Sequence, residues 1–325
     1  MSTMNGTPDL PTKFVAAVMY ALLRPVSAIL PANRWSVAIV RAVLHVMCLA
    51  STPVRGTVIQ PVTGEVSGEW VRAGRSPVSA GSQPKGKRAI LLLHGSGYVA
   101  CSPRTHRGFA SYLSHYSGIP VFVARYRRAP EHRFPAAADD AMSAYRWLLD
   151  EGIPAEGIAI VGDSAGGHLA ITLTMQASQN GLPMPAALAL FGPLVDPTFA
   201  ASVADPRVRF NPFDPRGAKR ILAMYVGDHD VADPRLSVLN GELGELPPVQ
   251  LHYGSREVMR RDAEMLDTRI REAGGVCQSY LWPGQVHGYW ILPRLLADAR
   301  RSVDTAASFL AAATSADPLG PAASA

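Results

Sequence analysis

Cysteine is scarce in this chain and lysine nearly so. The three cysteines, Cys48, Cys101 and Cys277, are scattered and form no C-x-x-C pair. Their odd number and wide spacing exclude a disulfide framework and a ribbon- or finger-type zinc site, leaving at most one disulfide open. Lysine occurs only at positions 13, 85, 87 and 219 among 31 basic residues, and the net charge is a modest +5. A dedicated nucleic-acid binder carries a clustered basic face. The densest basic run here, Arg125-Tyr126-Arg127-Arg128, reads as a loop after an apolar strand, so no nucleic-acid partner is expected. No glycine-rich phosphate loop or dinucleotide fingerprint follows a strand, so neither cofactor nor metal is expected. Long uninterrupted apolar runs are missing as well. Residues 14–30 are broken by Arg24-Pro25, and residues 35–50 by Arg41 and His45. Each uninterrupted piece is too short to cross a bilayer. No compact apolar core with a basic start and a small-residue cleavage site marks an export signal. A cytoplasmic location is the default expectation, with cell-envelope association as the alternative.

What remains is a chain of 325 residues, 48% of them hydrophobic, enough for one large α/β core. Its most informative stretch is Ile160-Val-Gly-Asp-Ser-Ala-Gly-Gly-His168. A short apolar run stops at Gly162, Ser164 follows, and a helix-compatible segment starts at Ala165. This strand, sharp turn and helix is the context in which G-x-S-x-G acts as a nucleophile elbow. Alone the motif arises easily in a chain rich in glycine, alanine and serine. Three further segments give it weight.

Upstream, the buried-strand pattern Ala89 to Leu93 ends in His94-Gly95-Ser96-Gly97. Small residues there let backbone N–H groups face a tetrahedral intermediate. The oxyanion-hole candidates are the amides of Ser96 and Gly97 with that of Ala165. His94, between strand and glycine turn, is read as ordering the loop. Downstream, Trp282-Pro-Gly-Gln-Val-His-Gly-Tyr289 places His287 on a turn after the last strand, the position of a general base. Of the other histidines, His168 lies one helical turn beyond Ser164 and is expected to border the site; His45, His106, His115, His132, His229 and His252 read as surface or packing residues. For the acid that orients the imidazole, Glu257 follows the strand pattern 248–253. Asp262, Asp228 and Asp230 compete for the role, and Asp196 sits at another strand end, where bracing is expected.

Together these segments resemble the hormone-sensitive-lipase-type family of α/β-hydrolase carboxylesterases, over about residues 89–311. The resemblance rests on HGSG at 94–97, YRRAPEHRFPAAADD at 126–140, GDSAGG at 162–167, GSRE at 254–257 and VHGY at 286–289. It implies an α/β-hydrolase fold, a mostly parallel central sheet flanked by helices with an N-terminal helical cap. It implies a serine carboxylesterase acting on short- to medium-chain acyl esters through Ser164, His287 and Glu257. A lipid-ester lipase, an amidase or an acyltransferase would use the same triad, and a non-catalytic binding protein the same fold. Glu131, His132, Asp139 and Asp140 are implied to brace the site floor. The chain departs from the pattern twice: Ser96 stands where the family usually has glycine, and Glu257 where it most often has aspartate. A serine at 96 is free of cost in an ordinary backbone region and strained if φ is positive.

The expected layout is a tail and helical cap over 1–54, a catalytic domain over 55–312 with a cap insertion at about 197–233, and a disordered tail at 313–325. Residues 73–88 read as an exposed connection. The expected partner is a small acyl ester. Peripheral membrane contact through the apolar N-terminal helices and a homodimer remain open.

Overall fold

The runs Ala89–Leu93, Val121–Ala124, Ile158–Asp163 and Ala187–Phe191 lack polar alternation, and in the computed structural model every residue in them is buried. Strands covered on both faces belong in the middle of a parallel sheet with helices on either side. The structure describes residues 2–3, 7–29, 31–48, 51–74, 87–207 and 211–315. Its strands are β1 (Ser2–Thr3), β2 (Val58–Val62), β3 (Gly68–Arg72), β4 (Ala89–Leu93), β5 (Val121–Ala124), β6 (Ile158–Asp163), β7 (Ala187–Phe191), β8 (Val249–Gly254) and β9 (Cys277–Trp282). They form one sheet in the order β1-β9-β8-β7-β6-β4-β5-β3-β2. Neighbours run parallel except around β3, which is antiparallel to both β2 and β5. Helices α3 (Pro103–Ser117) and α9 (Ala297–Ala313) build the core on one face; α4 (Ala136–Asp150), α5 (Ala165–Gln179) and α8 (Arg260–Glu272) build it on the other.

Four more helices lie outside these layers: α1 (Leu10–Ile29), α2 (Arg34–Cys48), the short α6 (Ala200–Ala204) and α7 (Pro215–Val226). Helix α1 runs through Arg24-Pro25, which interrupts its apolar sequence but not the helix. Pro25 removes one helix hydrogen bond, to the Ala21 carbonyl, and Ala21 and Pro25 are both exposed, so water can serve that carbonyl. Arg24 ties α1 down instead. It pairs with Asp214 at 3.2 Å and donates to the carbonyls of Asn211 and Phe213, at 3.3 Å each. Asp214 also caps α7 through the amides of Arg216 and Gly217. Arg41 of α2 donates to the Val99 carbonyl at 2.7 Å and grips Glu131 with two bonds of 2.8 and 2.7 Å. That guanidinium holds the Glu131 carboxyl down to about 2. Helix α9 continues through Ala313 and Thr314 is buried, so the chain is ordered past the expected boundary at 313. Residues 316–325 of the expected tail, and 75–86 of the expected connection, lie outside the described residues.

Candidate active site

Strand β6 delivers Ser164 to the end of the sheet, and α5 begins at the next residue. Ser164 has φ 55° and ψ −120°, a conformation that L side chains rarely adopt. Its neighbours hold it there. Its amide donates to the Phe191 carbonyl at 2.9 Å, and its carbonyl accepts from Leu194 at 3.1 Å. Only glycine fits at 162 and 166: a Cβ at 162 would strike the Gly166 carbonyl, and one at 166 the Leu93 carbonyl. The turn therefore packs directly against the end of β4.

The loop after β4 is built around strain. Ser96, Tyr98 and Cys101 all have positive φ, at 94°, 64° and 59°, as does Gly97 at 60°. Such clusters persist only where surrounding contacts over-determine them. Those contacts are present. The Gly95 amide donates to Asp163 Oδ1 at 2.9 Å, the Ala129 amide to the Tyr98 carbonyl at 2.9 Å, and Tyr126 Oη to the His94 carbonyl at 2.6 Å. Tyr98 stacks on Tyr225 of α7 with ring centroids 3.8 Å apart. With the Gly95 amide spent on Asp163, the next two, of Ser96 and Gly97, make no backbone hydrogen bond among the described residues. Ala165, as the first residue of α5, has an amide without an intrahelical partner.

Ser96 thus bears the strain that its side chain threatens at positive φ. Its hydroxyl is turned to the Ala100 carbonyl at 2.5 Å and braces the loop. The φ penalty and the bond are separable by substitution. Ser96→Ala keeps the penalty and loses the bond; Ser96→Gly loses both. We expect Ser96→Gly to be the more stable of the two by about 1 kcal/mol in urea unfolding. Equal stability, or the reverse order, contradicts this reading of the loop.

His94 serves the same loop. It is buried, its ring stacks on Tyr126 at 4.2 Å, and its Nδ1 lies 3.1 Å from the Gly95 carbonyl. Burial, with His106 nearby, pushes it down to about 3, so it is neutral at ordinary pH.

His287 stands on the turn after β9, with Nδ1 2.6 Å from Glu257 Oε1. The Glu257 side chain is fully buried, and its second oxygen accepts the Gly254 amide at 2.8 Å. The longer glutamate fits because residue 192 is glycine. Any Cβ there would collide with Glu257 Oε1. Trp290 and Phe213 meet the imidazole edge-on, at 5.1 and 5.8 Å.

None of the rival carboxylates pairs with His287. Asp262 is buried beside Ser202 Oγ at 3.3 Å, and burial together with Asp196 pushes it up to about 8. Asp228 faces Arg133 at 3.8 Å, Asp230 accepts the Ala232 amide, and Asp196 caps Thr198. His168 does not border the site as expected. It is buried behind Tyr98 with Nε2 2.9 Å from the Leu236 carbonyl, and burial lowers it to about 4.

Ser164 and His287 face one cavity of about 220 Å³. No direct hydrogen bond joins them here; bonds of this kind are commonly long before substrate tightens them. The amide-bearing residues Ser96, Gly97 and Ala165 line the same cavity. Its walls are apolar: Met19, Leu23 and Val26 from α1, Val40, Leu44 and Met47 from α2, Ile221 and Leu222 from α7, with Leu194 and Phe199. Cys48 and Cys101, both free thiols, are packed into it. Beneath Ser164 lies a pair that the sequence did not single out. Asp163 and His106 are buried at 3.3 Å. Burial works against both charges, but the mutual attraction wins: the Asp163 carboxyl is lowered and the His106 imidazole raised. The aspartate inside the Gly-Asp-Ser motif was the available signal for it.

A family model described as the alpha/beta hydrolase fold matches residues 90–291. The chain is 35% identical over 253 residues to an acetyl-hydrolase of Streptomyces hygroscopicus, covering 77% of this chain and 81% of that protein. It is 30% identical to Esterase LipU of Mycobacterium tuberculosis, covering 90% of this chain and 99% of the relative. A solved esterase from the bacterial hormone-sensitive lipase family superimposes with a TM-score of 0.84 at 26% identity, covering 95% of this chain and all of that one. A strained serine elbow, a glycine-turn loop beside it, a carboxylate-held imidazole and these likenesses converge: the chain belongs to the hormone-sensitive-lipase-type α/β hydrolases and is a carboxylic-ester hydrolase.

Proposed function

We propose that the chain hydrolyses short- to medium-chain acyl esters through a Ser164–His287–Glu257 triad and an acyl-enzyme. The observation that carries this is the 2.6 Å contact of His287 Nδ1 with Glu257, in a site whose imidazole and serine share one apolar cavity. With Nδ1–H donating to the carboxylate, Nε2 is left as an acceptor aimed at the serine proton. Ser164 Oγ bonds to the ester carbonyl carbon as its proton passes to Nε2. The carbonyl oxygen becomes an oxyanion held by the amides of Ser96, Gly97 and Ala165, each donor worth roughly 3–4 kcal/mol. The tetrahedral adduct collapses, the C–O bond to the alcohol breaks, and the alkoxide takes the proton from the imidazolium. Water then repeats the sequence on the acyl-serine and releases the acid.

The apolar walls favour acyl chains over polar acyl groups, and the wall residues of α1, α2 and α7 limit how long a chain fits. The acetyl-hydrolase relative is in keeping with a short acyl group. A nitrophenyl ester series from acetyl to palmitoyl tests the reading. We expect kcat/KM to peak between acetyl and octanoyl and to fall steeply beyond. A maximum at palmitoyl, or no turnover of any member, contradicts it.

A further inference from the structure

The cap helices that wall the cavity have a second face. On α1, Thr12, Ala16, Met19 and Leu23 point inward, and Ala16, Met19 and Leu23 pack with Val286. The opposite face carries Leu10, Phe14 and Ile29, which are 79%, 69% and 79% exposed. Trp35, in the first turn of α2, is 76% exposed, followed along that helix by exposed Ile39 and Val46. Large apolar side chains grouped in this way on a soluble surface mark a contact site.

Apart from Asp9, exposed just before α1, basic residues predominate around them. No aspartate or glutamate occurs from residue 10 to residue 64. Lys13 and Arg34 are exposed and make no ion pair among the described residues. Helix α7, packed against α1, adds exposed Arg216 and Lys219. The cap surface is therefore apolar with basic residues set into it.

We propose that this outer face of α1 and α2 docks the enzyme on an anionic lipid surface, placing the cavity wall at the lipid–water boundary. An apolar face with basic flanks lies in the headgroup region of such a surface, with aromatic residues as anchors. Although α1 is long and apolar enough to cross a membrane, its inner face is built into the protein, so it lies flat. Self-pairing of the face would set Lys13 and Arg34 of one copy against basic residues of the other, with only Asp9 near the patch to answer them. Residues of the same helix line the cavity and meet the lipid, so an ester drawn from the surface travels one helix diameter to Ser164. The docking goes beyond the esterase reading and does not depend on it.

Flotation of the full chain with phosphatidylcholine vesicles, with and without phosphatidylglycerol, tests this. We expect the protein to float with the mixed vesicles, to bind phosphatidylcholine alone at least about tenfold more weakly, and to be released by salt. Trp35 emission shifts to the blue on binding. The double variant Phe14→Glu/Trp35→Glu is expected to stay in solution while keeping wild-type turnover of soluble nitrophenyl acetate. Ser164→Ala is expected to float like the wild type, so a failure of catalysis and a failure of docking are read separately. Three results would overturn the proposal: wild-type protein that stays in solution with mixed vesicles, a double variant that still floats, or a solution dimer that the two substitutions dissociate without any vesicle binding.

Discussion

Ser164→Ala is expected to lower kcat for a soluble nitrophenyl ester by roughly a million-fold, leaving only the background supplied by amide donors and binding. The Ser164 hydroxyl shares the cavity with His287 and the amides of Ser96, Gly97 and Ala165, whereas the Ser96 hydroxyl is spent on the Ala100 carbonyl. Stability should barely change, because alanine inherits the unfavourable φ of 55°. Ser164→Gly is expected to be as inactive but more stable than Ser164→Ala by about 1 kcal/mol. Initial-rate assays on protein of verified fold measure the first effect and urea unfolding the second. Turnover within a hundred-fold of wild type in either variant would remove Ser164 from the nucleophile's role.

The second large effect separates two buried carboxyls five residues apart. Glu257→Gln keeps the shape of the side chain but removes the charge that stabilises the imidazolium and fixes its tautomer. By that logic kcat falls by about 10⁴-fold. Asp262→Asn removes a carboxyl that touches Ser202 and not His287, so turnover is expected to stay within a few-fold of wild type. Its signature is in stability instead. The folded Asp262 carboxyl is held up to about 8 by burial and Asp196, whereas in the unfolded chain it titrates near 3.8. Between those values the folded state holds a proton that the unfolded state has lost, so stability falls as pH rises from about 4 to 8. The carboxamide of Asp262→Asn does not titrate, so this loss disappears. The variant should gain thermal stability over wild type at pH 8 and not at pH 4. A severe loss of turnover in Asp262→Asn with a mild one in Glu257→Gln would reverse the assignment.

These two carboxyls show where the sequence was informative. The strand before Glu257, the turn before His287 and the order of the three residues favour Glu257 over Asp228 and Asp230, which precede that strand, but leave Asp262 close by. What separates Glu257 from Asp262 is Gly192, sixty-five residues earlier, whose missing side chain makes room for the longer carboxylate. No local pattern reveals that. Strands β5 and β7 read directly from their uninterrupted apolar runs, because strands buried on both faces carry no polar alternation. Strand β6 extends to Asp163, beyond the apolar run, because a buried partner, His106, accommodates the charge. His106 comes from α3 and reads as an ordinary histidine for the same reason. The anchoring of α1 through Arg24 uses Asp214 and two carbonyls from the segment before α7, nearly two hundred residues away in sequence. His168 has helical spacing from Ser164, yet the Leu236 carbonyl turns it away from the cavity. Periodicity gave elements and motifs gave the chemistry; contacts between distant segments decided the rest.

The central claim is that Ser164, His287 and Glu257 act as one unit facing the amides of Ser96, Gly97 and Ala165. A crystal structure of the protein after reaction with a fluorophosphonate tests it most directly, since the tetrahedral phosphorus adduct stands in for the acyl-transfer intermediate. The account predicts phosphorus bonded to Ser164 Oγ, its non-bridging oxygen within about 3.1 Å of those amides, and His287 still held by Glu257. An adduct on another residue, an oxygen turned away from the loop at 96–97, or an unreacted protein would contradict it.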